Sequence, residues 1–265
     1  MQTFLMCEPR HYEVNYVINP WMAGNEGCVD KVLAARQWQT LYDVLAARAT
    51  IRLIEPVAGL PDMVFTANGG LVYRDREVIV SSFRHTERQP ESQHFGKYFT
   101  DNGYRVRRLD GGVRFEGAGD ALYDVQGRLW FGYGHRSDAK AGVELARILG
   151  GSVIALELAD PRWYHLDTAF CPLANGHVLA YAPAFSRDSV GQIRAAFGER
   201  VIWATDADAH NFVCNAVNIG ADVILHRASD ALKAALYRHG CNVIELDMSE
   251  FMKAGGSCKC LTLAL

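Results

Sequence analysis

The segment EGAGDALYDVQGRLWFGYG, residues 116–134, holds two short apolar runs joined at Gln126-Gly127. Glycine adopts the left-handed backbone that tight turns need, so the segment predicts an antiparallel β-hairpin. The same pattern recurs in ANGGLVYRDREVIVSSF (67–83), HLDTAFCPLANGHVLAYA (165–182) and NFVCNAVNIGADVILHRA (211–228). The turns begin at residues 74, 126, 175 and 220, a spacing of 45 to 52 residues that indicates an internal repeat.

Each repeat is extended by a further strand and a helix. A short strand precedes each hairpin, and a final one, NVIELDM (242–248), precedes the C-terminal segment; stretches such as AGVELARILGG end at a glycine, a typical helix C-cap. The last unit needs the N-terminal strand TFLMCEP to complete it. We therefore predict five ββαβ units around one axis, in one domain over residues 1–265; a three-layer α/β sandwich with irregular strand order is the alternative.

Composition narrows the class of protein. The 265 residues are 49% hydrophobic with a net charge of −3, which allows a sizeable core and disfavours nucleic acid as a partner. The N-terminus lacks a signal-peptide pattern, and no apolar run is long enough to span a membrane, so we expect a cytoplasmic protein. Seven cysteines without CxxC spacing do not predict a disulfide framework or a metal site. The oligomeric state is left open.

Reactive side chains fall at equivalent positions of the repeats, where each loop enters the hairpin. If the units superpose around an axis, these side chains converge. They are Asp62 and Asn68, Glu116 and Asp120, His165 and Asp167, and Cys258 and Cys260. A thiol, an imidazole and several carboxylates predict nucleophilic catalysis on a cationic substrate. A strand is expected over Cys258 and Cys260, and this pattern does not choose between the two thiols.

Four motifs in this order resemble the guanidine-modifying pentein enzymes, which include arginine deiminases, dimethylarginine dimethylaminohydrolases and amidinotransferases. The motifs are PDMVFTANGG, FEGAGD, YHLDT and GGSCKCLTL. Within that superfamily they are most similar to the catalytic domains of arginine dihydrolases, which carry a further C-terminal region that this chain lacks. The resemblance implies a five-bladed α/β propeller, in agreement with the repeat count.

The resemblance also implies individual roles, carried over motif by motif. Cys260 matches the nucleophile, His165 the general acid and base, and Glu116 the carboxylate that supports it. The implied substrate contacts are Asp62, Asn68, Asp167, Arg136 and, as a lid or substrate residue, Asn19. Cys258 has no counterpart with a role.

The implied activity is hydrolysis of the guanidine group of L-arginine or a related guanidino amino acid, with no cofactor. Asn68 stands where arginine deiminases carry an aspartate, which favours the two-round dihydrolase reaction over a single deimination. Asp167 favours an unmethylated guanidine. Dimethylarginine hydrolysis is the first alternative and amidino transfer the second; a non-catalytic pentein that binds a partner is an alternative of another class.

Overall fold

The computed structural model describes residues 2–265. Its helices are α1 (Lys31–Ala46), α2 (Glu91–Asp101), α3 (Ala139–Leu149), α4 (Arg187–Phe197), α5 (Asp206–His210), α6 (Asp230–Arg238) and α7 (Ser249–Met252). Its strands are β1 (Thr3–Cys7), β2 (Thr50–Ile54), β3 (Gly70–Arg74), β4 (Glu77–Val80), β5 (Arg105–Arg107), β6 (Ala121–Tyr123), β7 (Leu129–Tyr133), β8 (Val153–Glu157), β9 (Phe170–Pro172), β10 (Val178–Ala180), β11 (Val201–Trp203), β12 (Val217–Ile219), β13 (Asp222–Leu225), β14 (Asn242–Glu245) and β15 (Leu263–Ala264).

The strands form five three-stranded sheets of one design. Their orders are β15-β1-β2, β3-β4-β5, β6-β7-β8, β9-β10-β11 and β12-β13-β14. In each sheet the first pair is antiparallel and the second is parallel. Each parallel pair is joined through a helix, as a crossover between parallel strands requires. The predicted five ββαβ units are confirmed, and the N-terminal strand β1 completes the C-terminal sheet as expected.

Local sequence accounts for the turns and helix ends. Gly127, Gly176 and Gly220 all have positive φ in the hairpin turns, where a side chain would strain the backbone. The first hairpin turns one residue later than predicted, with Arg76 at φ 58°. Helix α3 ends as predicted at Gly150, which adopts the left-handed conformation.

The arrangement gives every sheet one strand beside the central axis. Residues of β3, β6, β9, β12 and β15 line a common cavity there. Short 3-10 turns lead into three of these strands: Thr66–Gly69 into β3, Gly117–Gly119 into β6 and Leu166–Thr168 into β9. Five loops therefore meet at one end of the axis.

The C-terminal segment departs from the expected strand. Residues 258–261 form a turn, and β15 begins only at Leu263, so the strand predicted over Cys258 and Cys260 is wrong. The turn is held by its own hydrogen bonds, since Thr262 N donates to Lys259 O at 3.0 Å. Among residues 2–265, no helix has both the length and the apolar character needed to cross a bilayer.

Candidate active site

The candidate residues lie on the loops that enter the axial strands. They are Asp62 and Asn68 before β3, Glu116 and Asp120 before β6, His165 and Asp167 before β9, and Cys258 and Cys260 before β15. All of them are buried. The loops of different repeats touch directly, because Ala67 N donates to Cys260 O at 3.1 Å. The predicted convergence at the axis is present in the structure.

His165 is held between a carboxylate and an amide. Its Nε2 lies 2.9 Å from Glu116 Oε2, and its Nδ1 lies 3.4 Å from Asn68 Nδ2. The oxygen of Asn68 accepts a hydrogen bond from Arg88 Nη1 at 2.9 Å, so the Asn68 NH₂ group faces the imidazole. Because that group can only donate, Nδ1 is the acceptor and Nε2 carries the proton. The neutral imidazole thus presents an unprotonated Nδ1.

The electrostatics agree with that tautomer. Burial lowers the pKa of His165 to about 4, against the opposing influence of Glu116. Burial alone would raise the pKa of Glu116, but Arg136, together with His165 and Arg88, holds it well below its usual range. Arg136 Nη1 lies 3.0 Å from Glu116 Oε2. At neutral pH the carboxylate is therefore ionised and His165 is a neutral base, able to accept a proton.

Cys260 lies against a second carboxylate. Its Sγ is 3.6 Å from Asp167 Oδ2 and accepts a hydrogen bond from Asn215 Nδ2 at 3.1 Å. Burial and the Asp167 carboxylate raise the pKa of the Cys260 thiol well above its usual range. Burial raises the pKa of Asp167 to about 7, although Lys259, the thiol and Asn215 act to lower it. A cation entering here would reverse both shifts, because it favours carboxylate and thiolate alike.

Asp62 and Arg88 form the remaining charged wall. Arg88 pairs with Glu91 in two hydrogen bonds of 2.9 Å, and its Nε lies 3.7 Å from Asp62 Oδ2. Burial raises the pKa of Asp62, against Arg88 and the nearby Tyr16 hydroxyl. Within residues 2–265 the other Asp62 oxygen, Oδ1, is buried without a hydrogen-bond partner. This atom can accept a hydrogen bond from the neighbouring Tyr16 hydroxyl or from a bound group.

Arg136 was predicted to contact the substrate. Besides the pair with Glu116, its Nη2 donates to Ile18 O at 3.1 Å, and its guanidinium lies 4.5 Å from the centre of the Tyr164 ring. The side chain is thus engaged by three protein groups. In this position the Arg136 charge neutralises Glu116. Direct contact of Arg136 with a substrate stays a prediction.

Asn19 was predicted to be a lid or substrate residue. Its Nδ2 donates to Ala254 O at 3.0 Å, and its Oδ1 accepts from Trp21 N at 2.9 Å. Both ends of the amide are occupied by backbone groups, so the residue ties the loop around 19–22 to the segment that precedes Cys260. Its role toward a substrate stays a prediction.

Gly255 and Gly256 allow protein side chains to lie close to their backbone. Gly255 has φ +82°, and a Cβ there would lie 2.9 Å from the Tyr164 hydroxyl oxygen. A Cβ on Gly256 would lie 3.1 Å from the Cβ of Cys260. This glycine pair thus lets Tyr164 and the Cys260 turn pack closely.

Cys258 is separated from this chemistry. It is fully buried, and its Sγ accepts a contact from Ser257 Oγ at 3.9 Å. Burial raises the pKa of its thiol to about 12. Of the two neighbouring cysteines, only Cys260 contacts the candidate site residues Asp167 and Asn215.

Asn215 is the residue that sequence reasoning missed. Its Oδ1 accepts hydrogen bonds from Ser257 N at 2.9 Å and Cys260 N at 3.1 Å, and its Nδ2 also donates to Asp167 O at 3.1 Å. It occupies the position before β12 that corresponds to the candidates of the other repeats. Applying the repeat rule to NFVCNAV would have found it. Arg88, in a loop without such a counterpart, offered no comparable signal.

Asn215→Ala is expected to loosen the Cys260 turn. It leaves two buried N–H groups without acceptors, which costs about 2 to 4 kcal/mol in the free energy of unfolding. Denaturant unfolding measures this loss. Asn211→Ala is the matched control, since Asn211 bonds only locally to Ala207 O at 3.0 Å and should cost under about 1 kcal/mol. Equal losses in the two variants would contradict the assignment.

Comparisons with known proteins agree with this architecture. A profile of the family described as N,N dimethylarginine dimethylhydrolase, eukaryotic, matches residues 15–265. The chain is 51% identical over 263 residues to the bifunctional arginine dihydrolase/ornithine cyclodeaminase of Nostoc sp. (strain PCC 7120), covering 98% of this chain and 37% of that protein. It is 41% identical to the N(G),N(G)-dimethylarginine dimethylaminohydrolase of Mycobacterium tuberculosis, covering 99% and 85%.

A solved structure matches the fold closely. It is the N-terminal domain of the cyanobacterial arginine dihydrolase ArgZ, in a cysteine-to-serine variant bound to substrate. The TM-score is 0.98 at 45% identity, with 100% of this chain and 98% of that chain covered. The five-sheet fold is that of the guanidine-modifying penteins. Within that class, the chain belongs to the dimethylarginine dimethylaminohydrolase family.

Proposed function

We propose that the protein hydrolyses the guanidine group of L-arginine through a covalent bond to Cys260, as an arginine dihydrolase. The observation that carries the proposal is the contact of 3.6 Å between Cys260 Sγ and the Asp167 carboxylate, both buried. The thiolate form of Cys260 is unfavourable beside this carboxylate, because the charge of Asp167 raises the pKa of the thiol. A planar cation placed over both relieves that repulsion.

Asp167 is the main hydrogen-bond acceptor for the guanidinium. Its two oxygens can accept two parallel N–H bonds, which orients the planar group and brings its central carbon to the thiol. Asp62, through its free Oδ1, is the second acceptor for a charged end of the substrate. The positive charge of the bound guanidinium stabilises the thiolate, so ionisation of Cys260 follows substrate binding.

His165 carries the proton. Its neutral imidazole accepts the thiol proton, and the thiolate attacks the guanidinium carbon. The imidazolium, stabilised by Glu116, then protonates the leaving nitrogen, which departs as ammonia. Water then attacks the central carbon of this covalent intermediate while His165 accepts one of the water protons. The S–C bond breaks and releases the Cys260 sulfur. The products of this round are citrulline and one ammonia.

Asn68 favours a second round on citrulline. Since its oxygen is occupied by Arg88, its NH₂ group is the part that faces His165. A neutral donor can serve an uncharged ureido group, whereas a carboxylate at this position would favour only a cation. Repetition of the attack then yields ornithine, carbon dioxide and a second ammonia. The overall reaction consumes one arginine and two waters.

The relatives support the proposal and limit which part of their described activity it includes. The chain spans 37% of the length of the two bifunctional arginine dihydrolase/ornithine cyclodeaminases it matches. The dihydrolase half of that description is the part we propose for this chain, with residues 1–265 as a single catalytic domain. The cytoplasmic location inferred from the sequence stays a prediction, which cell fractionation tests.

Hydrolysis of dimethylarginine is the second candidate. It is favoured by the family match over residues 15–265 and by the mycobacterial dimethylaminohydrolase, 85% of which this chain covers. Against it stands Asp167, whose two acceptor oxygens suit a guanidinium that keeps all its N–H donors. A methylated nitrogen would leave one of these buried oxygens unpaired.

Product analysis tests the proposal. The purified protein is incubated separately with arginine, citrulline, agmatine and dimethylarginine, and every product is identified. Release of ornithine and two ammonia per arginine is the expected result. Accumulation of citrulline without ornithine would reduce the reaction to a deimination, and dimethylamine as the dominant product would establish the second candidate. No turnover of any of the four would contradict both.

The pH dependence of arginine turnover should show an acid limb near neutrality. Asp167 must be ionised to bind the guanidinium, and its pKa is raised to about 7. Below that pH the carboxyl is protonated, so kcat/KM is expected to fall by up to about tenfold per pH unit. The measurement is kcat/KM for arginine at a series of pH values from about 5.5 to about 9.

Glu91 is the control for that profile, because burial also raises its pKa to about 7. If the acid limb persists in Glu91→Gln, it belongs to Asp167. Loss of the limb in this variant, or constant kcat/KM across the range in the wild type, would contradict the assignment.

A further inference from the structure

A buried chain of polar contacts runs from helix α2 to His165. Glu91, the first residue of α2, accepts two hydrogen bonds of 2.9 Å from Arg88, one from Nε and one from Nη2. The remaining nitrogen of the Arg88 guanidinium, Nη1, donates to Asn68 Oδ1 at 2.9 Å. Asn68 Nδ2 in turn lies 3.4 Å from His165 Nδ1. The steps proposed above use His165 and Asn68 but leave Glu91 without a role.

The geometry of the guanidinium makes Glu91 the residue that directs Nη1. The Arg88 and Glu91 side chains are 3% and 0% exposed. The turn between the two residues is closed by Glu91 N, which donates to Arg88 O at 3.0 Å. A carboxylate that accepts from both Nε and Nη2 fixes the plane of the guanidinium, because its N–H groups form a rigid fork. With that edge fixed, the direction of Nη1 toward Asn68 Oδ1 is fixed as well.

The Asn68 amide lies in a space that is shaped to receive it. A Cβ on Gly119 would collide with Asn68 Nδ2, so the glycine leaves room for the NH₂ group beside His165. The amide oxygen is held by Arg88 Nη1 and the amide nitrogen faces the imidazole. Loss of the Arg88 bond would leave the buried Asn68 oxygen without this donor, and the amide would no longer be held from both ends.

We propose that Glu91 is a positioning residue that acts through Arg88 to hold the Asn68 NH₂ group where the second round of hydrolysis needs a neutral donor. The inference deepens the proposed function and rests on it. Glu91 makes no contact with the substrate in this role. In the first round the guanidinium is held mainly by Asp167, outside this chain of contacts, so the effect of Glu91 falls mainly on citrulline.

Glu91→Gln removes the paired acceptors without changing the size of the side chain. The glutamine amide keeps one acceptor oxygen but places an NH₂ group against an Arg88 N–H donor. The guanidinium also loses its counter-charge, and Asp62 Oδ2, 3.7 Å from Arg88 Nε, can take its place. A turn of the guanidinium toward Asp62 withdraws Nη1 from Asn68 Oδ1. The acid limb of arginine turnover stays in place, because it belongs to Asp167.

A purely structural role makes a different prediction. If Glu91 only stabilised the loop before α2, its replacement would lower the turnover of arginine and of citrulline by the same factor. If it positions Asn68, the kcat/KM for citrulline falls relative to the kcat/KM for arginine. Any change at Asp62, the acceptor for the charged end that both substrates share, cancels in this ratio. The ratio therefore separates the two roles.

The test measures this ratio by ammonia release from each substrate. In Glu91→Gln we expect it to fall by about two- to tenfold, the equivalent of one net hydrogen bond. Asp124→Asn is the matched control, because it also turns a buried carboxylate that pairs with an arginine, Arg128 Nε at 2.7 Å, into an amide. Its ratio should equal that of wild type.

A double variant serves if Glu91→Gln alone does not fold. Glu91→Gln combined with Arg88→Met removes both charges, so no buried charge is left unpaired. The contact with Asn68 is lost in this variant too, and the same fall in the ratio is expected. An unchanged ratio in the folded variant overturns the inference.

Binding measurements test the route through Asn68 without turnover. In a Cys260→Ser background, calorimetry compares the Kd of citrulline with the Kd of arginine, and Glu91→Gln should weaken citrulline binding more than arginine binding. With Asn68→Ala added, Glu91→Gln should have no further effect on this Kd ratio, because effects that pass through one residue are not additive. A further change of similar size would overturn the inference. If wild type did not turn over citrulline, the two-round reaction would fail, and the Kd ratios alone would decide the role of Glu91.

Discussion

Cys260→Ser is expected to reduce arginine turnover by a factor on the order of 10⁴ or more, because removal of a nucleophile has effects of this size. A serine hydroxyl in the same place is a far weaker nucleophile, and no base here is strong enough to ionise it. The contacts of Asp167 remain, so the variant should still bind arginine. Single-turnover ammonia release measures the rate, and calorimetry measures the binding.

Cys258→Ser is the matched control. Both thiols are buried in the same turn, but only Cys260 contacts Asp167. We expect the Cys258 variant to keep turnover within about tenfold of wild type, with a loss of stability of about 1 to 3 kcal/mol from the buried hydroxyl. Full turnover in Cys260→Ser together with abolished turnover in Cys258→Ser would show that the nucleophile had been assigned to the wrong cysteine.

His165→Gln is expected to lower kcat by about 10² to 10⁴, the usual worth of a general acid and base. Glutamine can still donate to Glu116, so the buried carboxylate keeps a partner, but its amide cannot shuttle a proton at neutral pH. Binding of arginine depends mainly on Asp167 and should change little. Steady-state kinetics should therefore show a fall in kcat with a nearly constant KM.

The exposed His239 provides the control for this variant. It lies far along the chain in the loop after α6 and is exposed to solvent. His239→Gln should leave kcat within about twofold of wild type, as surface changes usually do. If His165→Gln raised KM and left kcat unchanged, His165 would bind substrate without transferring protons.

The repeat pattern and the four motifs were enough to predict the fold and to select most of the candidate site residues. Hairpin turns at glycine and helices that end at glycine are local signals, so five units and their strand order could be read from the chain. The same pattern placed His165, Glu116, Asp167 and Cys260 at equivalent loops. Asn215 could also have been predicted by that rule, because it stands at the equivalent place in the fourth hairpin.

Tertiary structure alone decided the details that make the site work. Whether residues 258–261 form a strand or a turn depends on the hydrogen bonds that Lys259 N and Cys260 N donate to Asn215. Asn215 is more than 40 residues away in sequence, so local propensity does not encode these bonds. The orientation of Asn68 depends on Arg88, and the charge state of His165 on Glu116 and burial. The sequence by itself determined which chemical groups meet at the axis. Their tautomers and pKa values arise from long-range packing, because desolvation and the fields of distant charges exist only once the five sheets have closed.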